Sequence, residues 1–155
     1  MSENLESMET FFMALADRTR LRLLNLMREG EICVCYFTEA LQEPQPKISR
    51  HLAYLRQAGL VETTRVGKWV YYRIAELENK DASIILQETA NWLTNDEQMK
   101  LDRTRLIQIS CCETANMPIA IQRAPHSLIF AKADIPEEVI VNNKIRETEL
   151  ADYLL

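Results

Sequence analysis

A mainly helical fold with one small β-hairpin is predicted by three features of the sequence. Apolar residues recur at helical spacing ahead of Gly59 and again beyond Asp81. Between them, LVETTRVGKWVYYRI (60–74) is rich in Val, Thr, Tyr and Trp, with Gly67 at its centre, and reads as two strands and a turn. The 155 residues suffice for one domain of ordinary size and are few for two.

The elements follow in order. Over residues 8–16, Met8, Phe11, Phe12 and Leu15 form an apolar stripe, the mark of a first helix. Asp17 offers an N-cap for a second helix through DRTRLRLLNLMREG, where Leu21, Leu24 and Met27 share a face and Gly30 closes the element. Residues 31–35 are too short to predict a strand, and residues 38–42 read as a short third helix. Pro44 and Pro46 interrupt it, and Pro46 falls near the first position of a fourth helix, KISRHLAYLRQAG, ended by Gly59. On that helix Ile48, Leu52 and Leu55 occupy one face, and Lys47, Arg50, His51 and Tyr54 another. Two such helices joined by a tight turn form a helix-turn-helix. The hairpin then places strands near 60–65 and 68–74, with Val66-Gly67 at the tip.

From Asp81 the helical pattern returns, with Ile85, Leu86, Ala90 and Leu93 expected inward and Met99, Leu106 and Ile109 continuing to Cys111. Asn95-Asp96 interrupts or recaps this long element. No later core element covers it, so a second subunit is the economical cover, with the first helix supplying part. Residues 1–112 are therefore expected to form one mainly α domain of winged helix-turn-helix (α+β) class, homodimeric. Residues 113–155 form an extension in which SLIFAKA reads as a strand, Asp134-Ile-Pro136 as a helix start and RETELADYLL as a helix; its pattern assigns no role.

The chain is acidic, with a net charge of −5, yet residues 44–73 hold Lys47, Arg50, Arg56, Arg65, Lys68 and Arg73 against a single acid, Glu62. Such a block is either a footprint for a polyanion or a mixed solvated surface. The start, MSENLESMETFF, lacks the basic region and apolar run of an export signal, and no window approaches the apolar length of a membrane span. A cytoplasmic address is expected, where thiols stay reduced.

In a winged helix the fourth helix enters the major groove and the hairpin tip reaches neighbouring phosphates or the minor groove. Arg50 is the candidate for a base edge, because its fork donates twice to guanine; Ser49 and Tyr54 are placed to touch base or phosphate, and His51 shares their face. Lys47, Arg56, Arg65 and Lys68 are candidates to neutralise phosphates of double-stranded DNA. The plainer readings make His51 and Tyr54 half-buried helix residues, and Trp69, Tyr71 and Tyr72 packing residues of the wing.

Four cysteines, Cys33, Cys35, Cys111 and Cys112, form two close pairs. They are either buried small hydrophobes or soft donors to a metal or metalloid. Residues two apart chelate only where the backbone departs from a straight helix. Four thiolates also suit zinc, cadmium or lead. A thiol-dependent enzyme is disfavoured, since Cys-x-x-Cys, phosphate-binding and nucleotide motifs are all missing; the chain is expected not to be an enzyme. A reversible thiol-redox switch is the alternative use of the same thiols.

ALADRTRLRLLNLMREGEICVC and QPKISRHLAYLRQAGLVETTRVGKWVYYRI resemble the ArsR/SmtB family of dimeric, metal-responsive winged-helix repressors, in particular its arsenic-responsive branch, over residues 8–112. The resemblance implies a recognition helix over 47–58, a wing over 60–74, dimerisation through the first and last core helices, and operator release when cysteines bind arsenic(III) or antimony(III). Cadmium, lead and zinc are the alternative inducers. The chain departs from the family pattern at Arg18, where a proline is usual, and at Thr38, where one arsenic motif has a third cysteine. Cys111-Cys112 matches another arsenic motif without its third cysteine. The family's zinc sensors carry Asp and His on the last core helix, whereas residues 82–110 contain no His; His51 and His126 lie elsewhere.

Overall fold

The computed structural model describes residues 5–111. They form α1 (Leu5–Leu15), α2 (Arg18–Leu26), β1 (Ile32–Cys33), α3 (Val34–Leu41), α4 (Gln45–Gln57), β2 (Val61–Val66), β3 (Trp69–Ile74), α5 (Lys80–Leu93) and α6 (Glu97–Cys111). This is a helical domain with a small antiparallel sheet of order β1-β3-β2. Cys112, His126 and the whole 113–155 extension, with its expected strand and helices, lie outside the described residues.

Local signals placed most boundaries. Asp17 caps α2, its Oδ1 accepting the Arg20 amide at 2.9 Å. Pro44 caps α4 and Pro46 sits within its first turn, where a missing N–H costs nothing. Ile48, Leu52, Leu55 and Leu60 are fully buried, and each such side chain contributes about 1.5–3 kcal/mol. The hairpin turn is Gly67-Lys68 rather than Val66-Gly67: Val66 pairs with Trp69, and φ of +60° at Gly67 suits the first position of a tight two-residue turn.

Three boundaries are corrected. Helix α2 ends at Leu26, and a 3₁₀ turn over Met27–Glu29 carries the chain to Gly30. Residues 31–35 do contain a strand, β1, which exists because β3 supplies its ladder, Ile32 opposite Tyr72 and Cys33 opposite Tyr71. Helix α3 begins at Val34 rather than Thr38, so Cys35 lies in its first turn. The interruption expected at Asn95-Asp96 is present and divides the last helical stretch in two: Asp96 Oδ1 accepts the amides of Gln98 (2.9 Å) and Met99 (3.1 Å) and starts α6 afresh.

Helix α6 also finds cover within its own chain, against α2 and α3, burying Met99, Leu106 and Ile107. It is pinned by an ion pair that the sequence pattern did not reveal. Arg22 donates from Nε to Asp102 Oδ2 (2.6 Å), and from Nη2 to Asp102 Oδ1 (2.8 Å) and the Leu41 carbonyl (3.0 Å). Gln98 Nε2 donates to Asp102 Oδ1 as well, at 2.8 Å. The bond to Asp102 outweighs desolvation and raises the Arg22 pKa, so the guanidinium keeps its charge although buried. Of the α5 residues expected inward, Leu86 and Ala90 are buried, but Ile85 is exposed. It joins Ile84 and Trp92 on α5, Met8, Phe12 and Met13 on α1 and Leu101 on α6 as large apolar side chains facing solvent. No helix among the described residues is long and apolar enough to cross a membrane.

Candidate DNA interface and thiol site

Helices α3 and α4 are joined through Gln42, whose left-handed φ of 54° turns the chain sharply. With Ile48, Leu52 and Leu55 locked into the core, Ser49, Arg50 and Arg56 point outward and are exposed. Arg65 and Lys68 flank the hairpin tip, also exposed, with the Lys68 ammonium 5.4 Å from the Trp69 ring centre. Arg50, Arg56 and Arg65 make no ion pair among the described residues, which leaves their charge for an outside anion. Arg73 differs: it pairs with Glu62 and Glu31 across the sheet.

The remaining candidates on α4 are held by neighbours. Lys47 Nζ lies 2.8 Å from Glu43 Oε1, and this bond holds the half-buried Glu43 carboxyl below its ordinary pKa. His51 Nδ1 lies 3.4 Å from Asp17 Oδ1. Burial works to raise the Asp17 carboxyl, but the Arg20 amide and the His51 and Arg20 charges outweigh it and keep its pKa low. The Arg20 guanidinium sits 4.2 Å over the Tyr54 ring while donating to the Ala14 and Met13 carbonyls at the end of α1 (both 2.7 Å). His51 and Tyr54 are thus oriented by α2, and Arg20 ties α1 to the α4 surface. Tyr54 remains exposed at 38%.

The first cysteine pair is brought together at the junction of β1 and α3. Cys33 is extended (φ −68°, ψ 142°) and caps α3, while Cys35 is already helical; the change of backbone turns the two side chains toward each other. Cys35 Sγ donates to Cys33 Sγ at 3.1 Å. This bond, against the opposing effect of burial, pulls the Cys33 pKa down to about 7. The same bond, reinforced by burial, pushes Cys35 far up. The pair therefore gives up its first proton near neutral pH and retains its second, and a thiolate is the form that soft centres bind. Cys33 is buried and Cys35 only half-buried, so the pair is reached from the Cys35 side.

At the position where a third cysteine would complete one arsenic motif, the Thr38 hydroxyl donates to the Cys35 carbonyl at 2.7 Å. Among the described residues no third Cys, His, Asp or Glu completes a metal-holding cluster. Cys111 ends α6 and Cys112 lies outside the described residues. The structure therefore assembles one pair and leaves the meeting of the two pairs unaddressed. Two neighbours of the thiols were read from the sequence as packing or not singled out: Tyr71, opposite Cys33 in the ladder, and Tyr36, next to Cys35. Burial, followed by the Cys35 and Cys33 charges, pushes Tyr36 up to about 12, and burial first also raises Tyr71. Cross-strand register was the missing signal, and β1 is too short to announce it.

Residues 17–63 match the family described as bacterial regulatory protein, arsR family. Over 110 residues the chain is 43% identical to the arsenic resistance transcriptional regulator ArsR1 of Pseudomonas putida, covering 70% of this chain and 83% of that protein. The chain belongs to the ArsR family. ArsR proteins are DNA-binding transcriptional regulators, and this member is a regulator rather than an enzyme. The arsenical resistance operon repressor of Escherichia coli is 42% identical over 64% of this chain and 85% of its own length. Among solved structures, HlyU of Vibrio cholerae aligns with a TM-score of 0.52 at 25% identity, covering 59% of this ArsR chain and 97% of that one. The transcriptional repressor BigR of Xylella fastidiosa gives 0.52 at 27%, covering 60% and 89%. These neighbours support the winged-helix fold.

Proposed function

We propose that this ArsR-family protein is a cytoplasmic, homodimeric repressor that binds operator DNA and releases it when its cysteine thiolates bind arsenite or antimonite. Cys33 and Cys35 form the core of the site, and Cys111 and Cys112 supply the remaining sulfur. The observation that carries this reading is the position of the first pair. Cys33 is laddered to β3, half of the wing, and Cys35 lies in the first turn of α3, the helix that leads into α4. A ligand clamping both sulfurs therefore pulls on both DNA-reading elements at once. Release requires the two dimer conformations to differ in affinity for ligand and for DNA, since equal affinities shift no population. Operator titrations with and without arsenite test the reading; unchanged affinity at saturating arsenite would overturn it. Cadmium, lead or zinc on the same sulfurs, or oxidation of the pair, are the competing signals, and release by oxidant without any metalloid would favour the last.

The apolar faces of α1 and α5 support a dimer. Phe12, Ile84 and Trp92, exposed at 48%, 57% and 81%, are costly to leave in water. Sedimentation at micromolar concentration is expected to give a dimer, and Trp92→Glu to shift it toward monomer with weakened operator binding. A monomer that binds the operator fully would refute the arrangement.

On the DNA face, Arg50→Ala is expected to cost about 1–3 kcal/mol of preference at one base. Lys68→Ala should instead weaken all sequences alike and reduce the salt slope by about one. Titrations of operator and scrambled DNA across salt separate the two, and equal, sequence-independent losses would remove Arg50 from base readout.

A further inference from the structure

Two buried tyrosines adjoin the thiol pair in the ladder and in the chain. Tyr71 stands across the ladder from Cys33, so the two side chains leave the sheet on the same face with Cβ atoms about 5 Å apart. Tyr36, next to Cys35 in the first turn of α3, lies three positions from Cys33. Both tyrosines are almost fully buried, at 0% and 1% exposure, and neither hydroxyl has a hydrogen-bond partner among the described residues. Buried hydroxyls are costly to leave unpaired, and phenylalanine would fill the same space without that cost. Two buried hydroxyls without partners, on the residue laddered to Cys33 and on the residue that follows Cys35, are suited to a bound group that carries its own polar atom.

The chemistry of the proposed inducer supplies one, and the inference rests on that reading. When arsenite, As(OH)₃, reacts with two thiols, each step breaks an As–O and an S–H bond, forms an As–S bond and releases water. Arsenic stays trivalent, and the two-sulfur adduct keeps one hydroxyl until a further thiolate displaces it. We propose that Tyr36 and Tyr71 hydrogen-bond this retained oxygen, so that the Cys33–Cys35 pair captures a hydroxyl-bearing arsenic centre in preference to one whose third substituent is carbon. The tyrosines are specificity-determining residues of the capture step, and the other cysteines complete the sulfur shell afterwards.

The test uses the full chain carrying Cys111→Ser and Cys112→Ser, which leaves Cys33 and Cys35 as its only cysteines. Arsenite and phenylarsine oxide are titrated against this protein and against its Tyr36→Phe, Tyr71→Phe and doubly substituted forms. Removing each hydroxyl is expected to lower arsenite affinity about three- to tenfold. Affinity for the phenylarsenical, which loses both its exchangeable oxygens to the two thiols, should not change, and this also reports an intact fold and intact sulfurs. Equal losses for both arsenicals would assign the tyrosines to packing or thiol tuning and overturn the proposal, as would no loss for either. Failure of the two-cysteine protein to bind either arsenical would remove the thiol-site reading itself, and the proposal with it.

Discussion

Asp102→Ala is expected to lower folding stability by about 3–5 kcal/mol, measured as a fall in the urea midpoint, because it strands a buried guanidinium. The Asp102 side chain is fully buried, and the Arg22 side chain is 11% exposed. With the carboxylate gone, Arg22 keeps the Leu41 carbonyl and a distant Glu43 Oε1 at 3.7 Å, neither of which replaces two short charged bonds. Exchanging both partners for apolar residues of similar volume, as in Arg22→Met with Asp102→Leu, should recover most of the loss, since the pair had to be desolvated to form. If Asp102→Ala unfolds at the unsubstituted midpoint, α6 is held by its apolar contacts alone. The double substitution carries a second reading. Should it restore stability while weakening arsenite-induced DNA release, the ion pair sets how α6 docks and not merely how firmly.

The second large effect concerns the sulfurs. Cys33→Ser with Cys35→Ser should abolish arsenite-induced release while leaving folding and ligand-free operator binding intact. The ratio of operator affinities without and with arsenite, about 5–150-fold for an ordinary allosteric coupling, should collapse to one. Cys111→Ser with Cys112→Ser should reduce the response as well, because As(OH)₃ can exchange each of its three hydroxyls for a thiolate and the first pair supplies two. Arsenic X-ray absorption should find about three sulfur neighbours in the unsubstituted protein and fewer in either variant. If either double variant retains the full sulfur count and release response, the two pairs do not form one site.

What could be read in advance was what neighbouring residues decide. The Asp17 cap, the Pro44 and Pro46 start of α4, the Ile48, Leu52, Leu55 stripe and the Gly67 turn each act within a few positions, and all lie where the pattern put them, the turn displaced by one residue. Strand β1 escaped because two residues carry no period; it is a strand only beside Tyr71 and Tyr72. The start of α3 was misplaced for the same reason, since β1 fixes where the helix can begin. Arg22 and Asp102 lie eighty positions apart, and nothing in the pattern of either helix signals that they meet. For the DNA face, the outward direction of Ser49 and Arg50 followed from helical period. The support of His51 by Asp17 and of Tyr54 by Arg20 required the packing of α2 on α4. For the thiols, the pairing of Cys33 with Cys35 was legible as a condition on the backbone, and the strand-to-helix junction meets it.

The closeness of Cys33 and Cys35 in the chain has a consequence for the denatured ensemble. Their separation is fixed by one intervening residue, Val34, rather than by contacts brought from afar. A soft ligand able to bridge them can therefore close the same small ring on a chain that has not folded. Ligands raise a melting temperature only to the extent that they prefer the native form, and binding to the unfolded chain cancels part of the gain. Arsenite held by this pair alone should thus raise the melting temperature by much less than its affinity implies. Under the proposed combined site a third sulfur, from Cys111 or Cys112, would join only on the folded chain, so the size of the thermal shift would report how far the ligand draws on the tertiary structure.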